Sequence, residues 1–300
     1  MPDEPTPAAP APPEASQPRR KRSAGRNLPA AIGVGGGLIA LVMVTLAAFH
    51  WGFILLVAAM LSLGCWEVYR ALQRIGMNAA IWPIVLGTIA MITGTYAAAG
   101  DLAWLGVPWH SALLTFLGAT VLAAMIVRMP QGYQGFIKDA AASLFIVGYI
   151  ALLGSFTALI LAGDDGAARM VTFLLCVVAV DTGGYVVGVL FGKHPLAPRI
   201  SPKKTWEGSA GSLLFALATG VAMSVWVLRA PWYVGVVLGA VTVLFATAGD
   251  LIESTIKRDV GIKDMSSILP GHGGVMDRLD SMLVAAPAAW LVLFLMVPGG

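Results

Sequence analysis

Apolar runs of about twenty residues recur along almost the whole chain from residue 28 onward. Each run is long enough to cross the roughly 30 Å hydrocarbon core of a bilayer as an α-helix. Strands of a membrane barrel would alternate apolar and polar residues, and these runs do not. We therefore predict an all-α, polytopic integral membrane helix bundle with about nine transmembrane helices. The predicted spans are residues 29–49, 51–70, 79–99, 111–127, 142–162, 168–191, 208–229, 232–252 and 281–297.

The composition supports this prediction and excludes other classes of protein. Charged residues make up only 12% of the 300 residues, whereas a soluble domain contains about 25%. The net charge of +3 is too small to indicate a nucleic-acid partner without a basic patch, and we expect none. Cys65 and Cys176 lie inside apolar runs and are expected to be buried free thiols.

The positions of Lys and Arg predict the topology. Residues 1–28 are rich in Pro and Ala, end in a basic cluster and are expected to form a disordered cytoplasmic tail. With nine spans and a cytoplasmic N-terminus, only Arg169 and Arg229 of the 19 Lys and Arg residues fall outside. We divide the remainder into N-terminal transmembrane helices over 29–165 and a C-terminal catalytic transmembrane region over 166–300.

Charge is densest over residues 250–280, which hold six acids and four bases between two apolar runs. At helical spacing, one polar stripe consists of Asp250, Glu253, Ser254 and Lys257. Asp277 and Asp280 repeat the pattern where the last span begins. Two acid-bearing helix ends on one face could converge on a divalent cation, and oxygen ligands without Cys suit Mg²⁺, Mn²⁺ or Ca²⁺. Solvated ion pairs with the neighbouring bases are the alternative for these acids.

A second polar cluster begins with Asp181, inside an otherwise apolar span. A lone carboxylate at the membrane centre costs at least about 2.5 kcal/mol, so Asp181 should face the bundle interior and have a partner. We expect a metal or substrate site there; a structural hydrogen bond between helices is the alternative. Gly183 and Gly184 permit a neighbouring backbone to approach closely.

The segment SPKKTWEG at 201–208 opens the next span. Ser201 or Thr205 could cap that helix, and the free N–H groups at a helix start attract phosphate. Lys203 and Lys204 add two cations at the same place. Phosphate contact is the prediction, and simple anchoring at the cytoplasmic surface is the alternative.

The loop between the two acid-bearing helix ends has the sequence PGHGG at 270–274. Glycine there supplies positive φ angles and exposed N–H groups, and His272 could donate to a phosphate. Acids for a metal, bases for phosphate and a glycine-rich loop together suggest phosphoryl or nucleotidyl transfer, in which positioning and charge neutralisation carry most of the catalysis.

These residues resemble the signature of the phosphatidate cytidylyltransferase family. Residues 254–280 match it as SxxKR, then KD at 263–264, PGHGG at 270–274 and DRxD at 277–280. The segments DTGGY at 181–185 and SPKKTWEG at 201–208 also resemble that family. The resemblance implies transfer of CMP from CTP to phosphatidic acid, which gives CDP-diacylglycerol and pyrophosphate. It also implies a homodimer in the cell (inner) membrane, with membrane lipids around it and the active site facing the cytoplasm.

The resemblance also implies roles for individual residues. Asp250 and Asp277 would bind Mg²⁺, with K⁺ beside it. The catalytic group would contain Lys257, Arg258, Asp264, His272 and Asp280. The substrate-binding group would contain Asp181, Ser201, Lys203, Lys204, Thr205, Ser254, Lys263 and Arg278. A CTP-dependent lipid-alcohol kinase and an ion-coupled transporter are the alternative functions.

Overall fold

The computed structural model describes residues 28–100, 106–268 and 273–297, and this part of the chain contains nine helices. They are α1 (Leu28–Ala48), α2 (His50–Gln73), α3 (Ile81–Ala99), α4 (Trp109–Arg128), α5 (Phe136–Ala162), α6 (Gly166–Phe191), α7 (Trp206–Trp226), α8 (Trp232–Asp259) and α9 (Met276–Met296). Helices α2 to α9 are long and apolar enough to cross a membrane, and α1 contributes the shorter apolar stretch Gly35–Ala48. The predicted helical membrane bundle is confirmed, while the tail over 1–27 lies outside the described residues.

Several helices extend beyond the predicted spans. Helix α5 begins at Phe136 instead of 142, α8 continues to Asp259 instead of 252, and α9 begins at Met276 instead of 281. These extra turns are polar, so hydropathy does not detect them, but their backbone hydrogen bonds are the same as in the apolar turns. The carboxylates predicted at helix ends therefore stand on regular helix.

One small β-hairpin joins α6 to α7 and was not predicted. Strand β1 (Pro195–Ala197) pairs antiparallel with β2 (Ser201–Thr205), with Pro195 opposite Thr205 and Ala197 opposite Ser201. The N–H of Trp206 donates to the carbonyl of His194 at 2.9 Å and closes the hairpin. The hairpin holds the two lysines of the SPKKTWEG segment on a strand beside the start of α7.

The charged loops meet at one end of the bundle, which we call the charged end. There, the Arg128 guanidinium contacts Asp139 at 2.7 Å, and the other Asp139 oxygen accepts from the Asn78 N–H at 2.6 Å. The opposite end is closed by Arg169, which donates to the carbonyl of Leu293 at 3.0 Å. Successive loops thus alternate between two ends, as a polytopic chain requires. The division at residue 165 stays a prediction, and α9 packs against both α5 and α2.

Helices α6 and α7 cross at a seam of small residues. The Ser212 hydroxyl donates to the Val180 carbonyl at 2.7 Å. A Cβ atom on Gly183 would lie 2.6 Å from the Gly211 carbonyl oxygen, and one on Gly184 would lie 2.6 Å from the Ser212 hydroxyl. The expected close approach at these glycines is therefore present, and it brings Asp181 next to α7.

Replacing Gly183 with Ala is expected to destabilise the protein, because the added methyl overlaps the backbone of α7. Overpacking of this kind costs about 1–3 kcal/mol. The matched control is Gly118→Ala on α4, where no atom lies within 4 Å of the added Cβ, and helix propensity there favours Ala by about 1 kcal/mol. Thermal unfolding in detergent should show a lower midpoint for Gly183→Ala only. Equal midpoints would contradict the close crossing.

Candidate active site

A polar cavity of about 210 Å³ lies at the charged end between α6, α7, α8 and strand β2. Five residues predicted for the site line it: Asp181, Lys203, Lys204, Thr205 and Asp250. Three residues with hydroxyl groups also line the cavity: Ser209, Ser212 and Thr247. Folding therefore brings three separate polar segments of the sequence to one cavity.

The junction of β2 and α7 fixes one wall of this cavity. Of the two candidate caps, Thr205 is the one used: its hydroxyl accepts from the Gly208 N–H at 3.1 Å, and Ser201 instead begins β2. Glu207, in the first turn of α7, accepts from the N–H groups of Lys193 and His194 at 3.1 and 3.2 Å. These bonds hold the hairpin against the helix start, where N–H groups favour anions.

Asp250 and Lys204 form an ion pair across the cavity, joining α8 to β2. Asp181 on α6 interacts electrostatically with both of them and with Arg278 of α9. Asp181 is an exposed residue that lines the cavity instead of a buried one, and Lys204 and Arg278 are the opposite charges within its electrostatic reach. The pairing of Asp250 with a lysine also means that the predicted metal ligand is engaged in an ion pair.

A second group of charges ties the end of α8 to the start of α9. The ammonium of Lys257 contacts Glu253 on its own helix and Asp277 of α9, the latter at 2.9 Å. The other Asp277 oxygen accepts from the N–H groups of Gly274 at 2.8 Å and Met265 at 3.1 Å. Asp277 is therefore held by three donors, one on α8 and two in the loop between α8 and α9.

The ion pair of Asp250 with Lys204 and the charges around Lys257 lie next to each other where α8 and α9 touch. A Cβ atom on Gly249 would lie only 2.4 Å from the Asp280 carbonyl oxygen, so the backbones are in contact there. The buried carboxylate of Asp280 lies within electrostatic reach of Asp250 and Glu253. Asp280 of α9 thus comes close to two acids of α8, while Asp250 and Asp277 are each engaged with a different lysine, Lys204 and Lys257. Their joint binding of a cation stays a prediction.

The donor set can be tested for a divalent cation. Within the described residues, no three His, Cys, Asp or Glu side chains are grouped closely enough to hold an ion by themselves. Mg²⁺, however, is usually held by one or two carboxylates together with waters and substrate phosphates. Glu253 Oε1 is buried without a hydrogen-bond partner in the described structure, beside the carboxylates of Asp277 and Asp280. The residues present fit an ion that binds together with a phosphate-bearing substrate.

Sequence analysis missed Glu67 of α2. Its side chain is only 2% exposed, and it accepts from the N–H groups of Val275 at 3.0 Å and Met276 at 2.8 Å and from the Ser266 hydroxyl. Glu67 thereby satisfies the free N–H groups at the start of α9. The sequence did contain a signal, because Glu67 is a lone acid within an apolar run. Like Asp181, such an acid should face the interior of the bundle and have a partner.

The remaining predicted residues are more scattered. Arg258 donates to the Ile200 carbonyl at 3.4 Å, which ties α8 to the hairpin turn. Lys263 and Asp264 are exposed in the loop after α8, and Ser254 is half-buried on α8. Arg278 lines a different, apolar cavity, and His272 lies outside the described residues. Roles in substrate binding or catalysis for all of these stay predictions.

Fold and site together define a class: a polytopic helical membrane protein whose charged end is built from carboxylates and lysines. The model of the Cytidylyltransferase family matches residues 30–296. The chain belongs to the cytidylyltransferase family, and it is therefore a nucleotidyltransferase, as the motif resemblance predicted.

Relatives support this placement. The chain is 40% identical over 291 residues to the phosphatidate cytidylyltransferase of Mycobacterium leprae (strain TN), covering 91% of this chain and 89% of that one. The phosphatidate cytidylyltransferase of Mycobacterium tuberculosis (strain ATCC 25618 / H37Rv) is 39% identical over 282 residues, covering 91% and 84%. That of Helicobacter pylori (strain ATCC 700392 / 26695) is 37% identical over 177 residues, covering 58% and 64%.

Proposed function

We propose that this protein transfers CMP from CTP to phosphatidic acid, which gives CDP-diacylglycerol and pyrophosphate. A phosphate oxygen of the lipid forms a bond to the α-phosphorus of CTP, and the bond from that phosphorus to the oxygen bridging to the β-phosphate breaks. Pyrophosphate leaves with that electron pair. The cavity that joins Asp181, Asp250, Lys203 and Lys204 carries this proposal, together with the family membership.

The protein's own groups would position the triphosphate and lower its charge. Lys203 and Lys204 line the cavity beside the capped start of α7, so cations and helix N–H groups act on the same volume. Lys204 is kept at the cavity by Asp250. The attacking phosphate oxygen is already ionised at neutral pH, so the step requires no strong general base.

Asp250 and Asp277 would hold Mg²⁺, with K⁺ beside it as the resemblance implies. A bound Mg²⁺ supplies neutralisation of the triphosphate charge and stabilises the departing pyrophosphate. Lys257 fixes one Asp277 oxygen, and the Gly274 N–H fixes the other, so this carboxylate is oriented before any ligand arrives.

We further propose that the charged end faces the cytoplasm at the inner membrane and that the protein is a homodimer. The bias of Lys and Arg toward that end supports the orientation. It suits a reaction between a nucleotide in water and a lipid in the bilayer. Membrane lipids would surround the apolar faces of the bundle.

Product analysis tests the proposed reaction. Purified protein in mixed micelles with CTP, Mg²⁺ and phosphatidate should form CDP-diacylglycerol and pyrophosphate in equal amounts. Chelation of the metal should reduce the rate by at least about 10²-fold, because several kcal/mol of charge stabilisation is lost. A reaction without phosphatidate is the control.

Two outcomes would contradict the proposal. Release of CDP with a phosphorylated lipid alcohol would identify the kinase alternative, since that reaction cleaves CTP between the β- and γ-phosphates. Cation uptake into vesicles without any consumption of CTP would favour the transporter alternative.

A further inference from the structure

A second cavity, of about 450 Å³, lies between α1, α2, α5, α6 and α9. Apolar side chains such as Met60, Phe173, Leu174 and Met282 form its walls. Of the described residues that line it, Arg278 alone is charged. Its volume lies in the range of ligand pockets, roughly 300–1,000 Å³. None of the catalytic steps described above uses its apolar walls.

The cavity runs along the bundle from Arg278 at the charged end to Met170 near the opposite end. Arg278 stands in the first turn of α9, beside the site. The lining residues of α6, from Met170 to Val178, precede Asp181 and therefore lie farther from the charged end. The walls of the cavity are almost wholly apolar, and its single charged lining residue, Arg278, lies at the end that adjoins the proposed active site.

Arg278 lies between the two cavities. It lines the apolar one and interacts electrostatically with Asp181, which lines the polar one. Asp277, the neighbouring residue, is the acid held by Lys257 and the Gly274 N–H. An anionic group held by Arg278 would therefore be close to the acids and lysines that are proposed to bind CTP and metal.

We propose that the apolar cavity holds an acyl chain of the phosphatidate substrate and that Arg278 binds its phosphate. This inference rests on the proposed function. A guanidinium suits phosphate because its planar N–H groups can bind two oxygens at once. Bilayer tails are as apolar as leucine, so the cavity gains little from hydrophobicity alone. The cavity must therefore distinguish lipids by the shape of their acyl chains, so acyl-chain length is the property to test.

Narrowing the cavity tests the acyl site. Val178→Trp fills it from α6; the matched control is Val189→Trp on the same helix, outside the cavity, the two valines being 51% and 67% exposed. The kcat/KM for dioleoyl phosphatidate relative to dioctanoyl phosphatidate should fall at least about fivefold in Val178→Trp only. Ile39→Trp, in the opposite wall, should produce the same change and serves if Val178→Trp does not fold.

Replacing Arg278 tests the polar end of the cavity. Arg278→Gln should raise the KM for phosphatidate about tenfold and change the KM for CTP less, because a charged hydrogen bond to the lipid phosphate is lost. Equal changes in both KM values would overturn the assignment of Arg278 to the lipid phosphate. Arg278→Lys should restore part of the affinity, since it keeps the charge but not the planar fork.

The outcomes separate this inference from the reaction on which it rests. Wild-type protein that consumes no phosphatidate of either length overturns the proposed function and the inference with it. Wild-type activity with an unchanged chain-length ratio in both tryptophan variants overturns the inference alone, and the cavity then holds bulk membrane lipid.

Discussion

Replacing Asp277 with Asn is expected to lower CMP transfer by about 10³-fold or more while the protein remains folded. Asp277 receives Lys257 on one oxygen and the N–H groups of Gly274 and Met265 on the other. Asparagine keeps the shape and one acceptor oxygen but loses the negative charge. A single group that stabilises transition-state charge is worth about 10²–10³ in rate, and loss of a bound metal adds several kcal/mol.

The matched control for this experiment is Asp259→Asn. Asp259 is an exposed acid at the end of α8, only a short distance along the chain from Lys257. The substitution Asp259→Asn removes one negative charge from the same part of the molecule. The rate of this variant should stay within about twofold of the wild-type rate. Initial rates and thermal midpoints measured together separate catalysis from folding. An unaffected rate in Asp277→Asn would remove Asp277 from the metal site.

Replacing Glu67 with Ala is the second change expected to have a large effect, on both stability and activity. The variant would leave the buried N–H groups of Val275 and Met276 without their acceptor. Each unsatisfied buried donor costs about 1–3 kcal/mol. The loop and first turn that carry Asp277 would then shift, and a displacement of about 1 Å in a catalytic group can reduce the rate about 10²-fold.

Glu67 acts through other residues, so its test needs a measurement that a purely structural role would not change. Glu67→Ala should raise the Mg²⁺ concentration needed for half-maximal rate. Glu67→Gln should raise this concentration less, because it keeps one acceptor oxygen. Val68→Ala, at the next buried position of α2, is the control. It should lower the thermal midpoint without changing the Mg²⁺ requirement. The same Mg²⁺ requirement in all variants would limit Glu67 to a structural role.

The helices could be predicted from the sequence because membrane spans depend on a local property, the length of an apolar run. Every predicted span coincides with a helix, and the largest errors occur where polar turns extend α5, α8 and α9. Smaller errors occur at α2, which continues to Gln73 instead of 70, and at α7, which ends at Trp226 instead of 229. Sequence analysis also placed Asp181, Lys204 and Asp250 on the same side of the membrane, but it did not predict that they line one cavity. Each is polar, and each lies at the same end of the bundle when consecutive spans alternate in direction.

Features that depend on contacts between distant segments were not predicted. Glu67 lies about two hundred residues before the helix start that it caps, so nothing near it in sequence indicates its partners. Strands β1 and β2 are short and contain Pro and Lys, which gives no alternating pattern. The π-helical segment Val147–Leu152 within α5 likewise has no recognised local pattern.

The backbone contact at Gly249 has a consequence for the proposed Mg²⁺ site. Because the main chain of α8 rests directly on that of α9 at Asp280, no rotamer change can bring their backbones nearer. For the site to accept an ion of another radius, helices α8 and α9 would have to slide past each other as rigid bodies. The fixed separation of α8 and α9 would then determine which cation the site accepts. A methyl group at position 249 would push the two helices apart and change that preference.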